Sequence, residues 1–238
     1  MTEAILPDGA LLTQVVSVAA PSPRMRRITL GGEGLAGFAL PAGCWGPYIK
    51  LIFPRPDGPA AWRTYSVRAF DPGRRELTVD MLLHEPRGIG SRWAAEARPG
   101  DALAILGPGI IDVPPTPDWI LLAGDHSALP AIAFTLERLP ASARGLALLA
   151  LEDPDDRQPL AAPPGMEVRW LCGGLAEAVA AAPWPRDGTG VLWAGAEAAA
   201  ARRIRAYARQ HRGLHQSCRP ILNYWKRGQA EGSFGFVA

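Results

Sequence analysis

Between Val15 and Leu106 the apolar positions fall in short β-type runs: Val15–Val18, Arg26–Leu30, Tyr48–Phe53, Thr64–Ala69, Leu77–Leu83 and Ala102–Leu106. Glycine and proline signals (PAG, PRPDG, FDPG, RPGD, GPG) separate them, a spacing that predicts antiparallel strands closing into a sandwich or barrel. One stretch inside this region, Ser91–Ala97 (SRWAAEA), has helical composition, with Ser91 as its expected N-cap. Past Pro117 the pattern changes. Continuous apolar runs at Asp118–Ala123, Gly145–Leu151, Glu167–Leu171 and Val191–Ala194 alternate with helical stretches at Ser127–Leu139, Leu175–Ala182 and Glu197–His211. A turn is expected at Gly124–Asp125, with Ser127 at the start of the helix that follows it. Unbroken apolar strands alternating with helices predict a parallel sheet covered on both faces. The expected fold is therefore an N-terminal antiparallel Greek-key β-barrel over residues 1–114 and a smaller parallel α/β domain over residues 118–238, divided in the proline-rich Asp112–Pro117.

Composition narrows the function classes. The chain has 238 residues, 48% hydrophobic and 20% charged, enough for a real core and too apolar for wholesale disorder. Its net charge of +2 argues against a dedicated nucleic-acid binder. No apolar run reaches the roughly 18 residues of a membrane span, and MTEAILPDGALL lacks the build of a signal peptide, so a soluble cytoplasmic protein is expected. Cys44, Cys172 and Cys218 are odd in number and far apart, which predicts reduced thiols. Lys50 and Lys226 are the only lysines among 25 basic residues.

Two segments carry candidate chemistry. In Arg63-Thr64-Tyr65-Ser66-Val67-Arg68, strand alternation puts Arg63 and Tyr65 on one face, where a phenol can stack on a flat ring while a guanidinium meets phosphate. Downstream, Asp80-Met81-Leu82-Leu83-His84 leads through Gly88-Ile89-Gly90 into Ser91-Arg92-Trp93. A strand, a glycine-containing loop and a helix start make an anion cradle. A barrel followed by an α/β domain suits a protein that holds a flavin on the barrel.

Other constellations are weaker. His211, His215 and Cys218 have zinc-like spacing, but Gly213 breaks the helix between them and no fourth ligand is near. The segment SALPAIAF contains no GxSxG, and the chain has no GxGxxG. Arg202, Arg203, Arg205 and Arg209 suit either a nucleotide 2′-phosphate or, more simply in an arginine-rich chain, a solvated helix face.

The segments MRRITLGGEGLAGF, YIKLIFP, RTYSVR, VDMLLH, GSRWAAEARPGD, LGPG, WILLAGDHSALPAIAFTLERLP, VLWAGAE and NYWKRG occur in order from about Val15 to Gly228. Together they resemble the siderophore-interacting proteins, FAD-dependent ferric-siderophore reductases of ferredoxin-reductase-like fold. The resemblance implies an FAD-binding barrel and an NAD(P)H-binding-like α/β domain. It also implies release of iron by reduction of Fe(III) to Fe(II) in the chelate, with electrons from NADH, NADPH or ferredoxin.

By the same resemblance Arg63 contacts the FAD pyrophosphate, Tyr65 stacks on the isoalloxazine, Ser66 addresses its N5 edge and Arg68 supports the phosphate or adenine side. His84 and the Gly88–Ser91 loop complete the flavin site, and Asp80, Trp93, Asp125 and Ser127 join the cofactor-binding set. Lys50 and Lys226 attract the anionic ferric siderophore. No residue acts as a general acid or base, no resident metal is expected, and the protein is expected to be a monomer with neither nucleic-acid nor membrane partners. A flavin reductase or electron-transfer protein of the same fold, and a non-catalytic siderophore binder, are the alternatives. The chain departs from the family pattern at Gly124-Asp125-His126-Ser127, where GDET is usual, and at Ala194-Gly195-Ala196-Glu197. Both segments fall where a nicotinamide would dock.

Overall fold

The computed structural model describes residues 6–55, 58–111, 117–184, 189–210 and 220–231. The chain divides into two compact units, one of Met1–Ala42 with Pro47–Ile110 and the other of Gly43–Gly46 with Ile111–Ala238. The second unit is the larger by chain length, where the sequence pattern predicts a smaller one. Most of the proline-rich boundary, residues 112–116, lies outside the described residues.

The first unit is a closed barrel. Its strands are β1 (Leu11–Ser22), β2 (Met25–Gly31), β3 (Trp45–Phe53), β4 (Ala61–Asp71), β5 (Glu76–Leu82) and β6 (Ala102–Ile111), in the order β1-β2-β5-β4-β3-β6. All six expected runs are strands, and most extend beyond the expected ends. Ile28, Leu30, Ile49, Leu51, Val67 and Val79 are fully buried, so alternate positions of neighbouring strands build one core. The β4–β5 turn is closed by Asp71, whose Oδ1 accepts from the backbone N–H groups of Gly73 and Arg74 at 2.9 and 3.0 Å. Helix α1 (Ile89–Glu96) follows β5 and contacts it.

In the second unit β7 (Trp119–Asp125), α2 (Leu129–Leu136), β8 (Arg144–Ala150), β9 (Gly165–Leu171), α3 (Leu175–Ala180), β10 (Gly190–Glu197), α4 (Ala198–Gln210) and β11 (Ile221–Trp225) form a parallel sheet with helices. The strand order is β11-β10-β7-β8-β9, which puts the topological switch point between β7 and β10. Ile120–Gly124 are all buried, as expected of a central parallel strand.

Three expectations are corrected. Gly124 and Asp125 are the last residues of β7 and not a turn. Helix α2 is shorter than expected, starting at Leu129 after Ala128 and burying every one of its residues. Strand β11 was not expected at all: its five residues include Asn223 and run into the basic Lys226-Arg227, a pattern too short and mixed to register as a strand. Among the described residues no helix is long and apolar enough to cross a membrane.

Candidate flavin-binding strand and the ends of the parallel sheet

Strand β4 pairs with β3 without interruption from Ala61 to Ser66, which sets Arg63 opposite Leu51, Thr64 opposite Lys50, Tyr65 opposite Ile49 and Ser66 opposite Tyr48. Directly opposed residues share a face of the sheet. Arg63 and Tyr65 therefore lie on one face, as the alternation requires, while Lys50, Thr64 and Ser66 share the other. The Lys50 ammonium donates to Thr64 Oγ1, which holds it along the row that leads to Ser66. The Arg63 guanidinium is anchored by a 2.7 Å bond from Nη1 to the Trp62 carbonyl.

Past Val67 the register against β5 slips, from Val67 opposite Val79 to Ala69 opposite Thr78, so Arg68 is the extra residue of a β-bulge. Its Nε stands 4.0 Å from Asp80 Oδ2, and Arg27 binds the same carboxylate through Nε and Nη2, both at 2.7 Å. Asp80 is buried, with its side chain 1% exposed, so this β5 carboxylate clamps two arginines from different strands. It belongs with the candidate site as the holder of Arg68.

Helix α1 begins differently from the sequence expectation. Gly88 is the N-cap, in extended conformation, and no side chain caps the helix. Ser91 lies inside α1 and is buried; its Oγ accepts from the backbone N–H of His84 at 3.2 Å, tying the exit of β5 to the helix. A serine at the visible start of helical composition looks like a cap, but its hydroxyl serves an amide seven residues earlier, outside the helix. The first backbone N–H groups of α1 are thereby left without a side-chain cap, beside the exposed His84 and Gly88. Gly90 meets Tyr65: a Cβ built there would sit 2.2 Å from the phenol oxygen and 3.2 Å from Cζ. Only a residue without a side chain lets the first turn of α1 approach the tyrosine this closely. Trp93, on the next turn, packs edge-on against Phe53 with ring centroids 5.7 Å apart.

These residues suit a flavin nucleotide: an aromatic ring and an arginine share a face, a buried carboxylate steadies a second arginine, and an uncapped helix start lies against the aromatic. Gly90→Ala is expected to push the Tyr65 ring aside and weaken FAD binding severalfold with the fold intact. Flavin fluorescence titration beside a circular dichroism melt checks this, and an unchanged FAD affinity would show that the approach is incidental.

In the second unit the sequence-predicted Asp125 and Ser127 bind each other. Asp125 Oδ1 accepts from the Ser127 N–H at 2.9 Å and from its hydroxyl at 2.5 Å. Ser127 is thus part of a turn on Asp125 and not the N-cap of α2, whose capping position is Ala128. Asp125 Oδ2 accepts from the Glu197 N–H and from Trp225 Nε1, both at 2.8 Å. Gly124 and Gly195 are paired across β7 and β10; a Cβ on Gly124 would lie 2.8 Å from Ala128 Cβ, and one on Gly195 would lie 2.7 Å from the Tyr224 ring. His126 is buried with Nδ1 3.9 Å from Asp156 Oδ2. Lys226 is exposed just beyond β11. Trp225 and Glu197 escaped the sequence reading as site residues. Their one signal was their place within the YWKRG and AGAE segments.

The α4 arginines separate by role. Arg203 pairs with Glu177 at 2.5 Å on the surface. Arg205 reaches the Ile221 carbonyl at 3.1 Å and Asn223 Oδ1 at 2.7 Å, locking α4 to β11. Burial, followed by the like charge of Arg209, holds the Arg205 guanidinium below its ordinary range. Arg202 and Arg209 are exposed. His211, His215 and Cys218 lie outside the described residues; among the described residues no group of three or more His, Cys, Asp or Glu is placed to hold a metal ion. Burial pushes the Cys44 thiol up, against the opposing pull of Arg138.

Comparison with known proteins gives these sites a context. The pattern of the siderophore-interacting FAD-binding domain matches residues 14–62 and 56–112, and that of the siderophore-interacting protein matches residues 117–228. An uncharacterised protein of Mycobacterium tuberculosis is 36% identical over 260 residues, covering 93% of this chain and 92% of its own. The ferric vibriobactin reductase ViuB of Vibrio cholerae is 30% identical over 253 residues, covering 90% of this chain and 88% of its own. The crystal structure of a siderophore utilization protein from T. fusca superposes with a TM-score of 0.85 at 33% identity, covering 93% of this chain and 94% of the other.

Proposed function

The chain belongs to the siderophore-interacting protein family, and from that premise we propose that it is an FAD-dependent ferric-siderophore reductase. The observation that carries the proposal is the seat of Tyr65 against Gly90, where a missing side chain brings the uncapped start of a helix to the face shared by Tyr65 and Arg63.

In this reading Arg63 holds the FAD pyrophosphate, Tyr65 lies against the ring system and Ser66 hydrogen-bonds its N5 edge. Arg68, steadied by Asp80, supports the phosphate or adenine side. The uncapped N–H groups near Gly88 add donors for the phosphates, and His84 lies beside them. When bound between these residues, FAD would supply the link between a nicotinamide or ferredoxin donor and the one-electron reduction of Fe(III) in the chelate, which oxygen-rich siderophores hold far more tightly than Fe(II). The chain's own residues have three tasks: to bind the cofactor, to leave one edge of it open, and to draw in a negatively charged iron complex. The electron transfer itself calls for no proton transfer by a side chain.

Lys50 supports the third task, because on β3 it lies opposite Thr64 and so shares a sheet face with Ser66, its diagonal neighbour on β4 at about 7–8 Å. A cation beside the ring edge attracts a polyanion without touching the reacting bonds. Lys226 supplies a second exposed cation on the other unit.

The absorption spectrum of the purified protein tests the reading. Flavin bands should bleach anaerobically with NADH, NADPH or reduced ferredoxin, each tried separately, and should return when ferric chelate is added. A colourless protein that refuses added FAD would overturn it; flavin that none of the donors reduces would leave a siderophore binder. Lys50→Ala and Lys226→Ala should each lower kcat/KM for the ferric chelate by about threefold to tenfold, with FAD retained and the difference shrinking at high salt. Wild-type rates in both variants would place the basic site elsewhere.

A further inference from the structure

Asp125, Glu197 and Trp225 end three adjacent strands of the parallel sheet, β7, β10 and β11. Asp125 Oδ2 receives Trp225 Nε1 and the Glu197 N–H, both at 2.8 Å. Glu197 in turn accepts from the Arg227 N–H at 3.4 Å through Oε1 and from the Ala199 N–H at 2.5 Å through Oε2. Lys226 is therefore bracketed: the residue before it is tied by its indole to Asp125, and the residue after it by its amide to Glu197. The Arg227 guanidinium stands 5.6 Å from the Trp225 ring centroid, and the Gln229 N–H closes a turn onto the Lys226 carbonyl at 3.1 Å. The β10–β11 register slips at this point, from Ala196 opposite Asn223 to Glu197 opposite Trp225, and the extra residue re-aims the end of the strand. Two carboxylates thus fix the backbone that presents two cations.

Resting on the ferric-siderophore reading, we propose that Asp125 and Glu197 are positioning residues for anion capture, holding the Trp225-Lys226-Arg227 segment so that Lys226 and Arg227 meet a polyanionic ferric chelate as a preformed pair. A long cation on a loose terminus loses backbone and rotamer freedom when it grips a ligand; one on a clamped turn has already lost the backbone part. The Asp125 carboxylate is engaged by its own chain on both oxygens, so it acts through Trp225 and not on a nucleotide.

Trp225→Phe tests this, since it keeps an aromatic ring beside Arg227 and removes the N–H donor together with the second ring of the indole. The probe is the gallium(III) tris-catecholate trianion, which is redox-inert, titrated calorimetrically into the flavin-loaded protein; its iron(III) counterpart is used for turnover. The expected result is binding about threefold to tenfold weaker, a matching rise in KM with kcat unchanged, and a shallower salt dependence. Trp225→Phe added to Lys226→Ala should cost less than the sum of the two. Asp125→Asn, which keeps the shape but replaces one of the two accepting oxygens by an NH2 donor, should change binding in the same direction and serves if Trp225→Phe melts early. Unchanged gallium binding in both variants, or full additivity with Lys226→Ala, overturns the positioning role. Failure of the wild-type protein to bind the trianion at all overturns instead the ferric-siderophore reading beneath it.

Discussion

Asp80→Ala should destabilise the barrel by about 3–5 kcal/mol, the usual cost of removing one partner of a buried ion pair. The Asp80 side chain is 1% exposed, and the arginines it holds are 12% exposed at Arg68 and 30% at Arg27, so water can replace little of what the carboxylate supplies. Arg27 loses a bidentate partner, and Arg68, in the bulge, loses the carboxylate 4.0 Å from its Nε. Urea titration reads the loss directly. Asp80→Asn, which keeps the shape and one acceptor, should fall between wild type and alanine. FAD and riboflavin affinities then separate fold from site: if Asp80 steadies an arginine over the phosphates, Asp80→Asn weakens FAD more than riboflavin. A melt within about 1 kcal/mol of wild type for Asp80→Ala would show that the two arginines find water or other partners, and that the clamp matters little.

Arg63→Ala combined with Tyr65→Ala is expected to yield a folded, colourless protein. A charge-assisted contact from arginine to phosphate is worth about 1.5–3 kcal/mol, so Arg63→Ala alone should weaken FAD by roughly tenfold to a hundredfold. Stacking by Tyr65 adds about 0.5–1.5 kcal/mol beyond the area it covers. The single variants should differ in kind: Arg63→Ala spares riboflavin, which has no phosphate, whereas Tyr65→Ala weakens both flavins. Tyr65→Phe should retain most of the affinity, because the ring remains and only the hydroxyl against Gly90 is lost. FAD affinity unchanged in both alanine variants would remove this strand from the site, whatever the family membership.

Legibility in the sequence followed the range of the interaction. RTYSVR announced itself because strand alternation is a local rule: Arg63 and Tyr65 are two residues apart, and the period of a strand alone puts them together. The β4–β5 turn is similarly local, with Asp71 bonding the amides two and three residues on. Ser91 shows how a local rule misleads. It stands where a cap would stand, yet the helix had already begun, and the amide of His84 claims its hydroxyl. Trp225 was invisible as a partner of Asp125 because one hundred positions separate them.

Periodicity and turn chemistry in the chain itself determined the barrel strands, the switch to a parallel sheet and the face on which Arg63 and Tyr65 lie, since each depends on neighbours within a few residues. Only the tertiary structure decided that Asp80 gathers Arg27 and Arg68, that Gly90 meets Tyr65, and that β11 exists and is clasped to Asp125. Those contacts join segments whose approach is set by register, by a bulge and by strand order, and no short stretch of sequence carries that information.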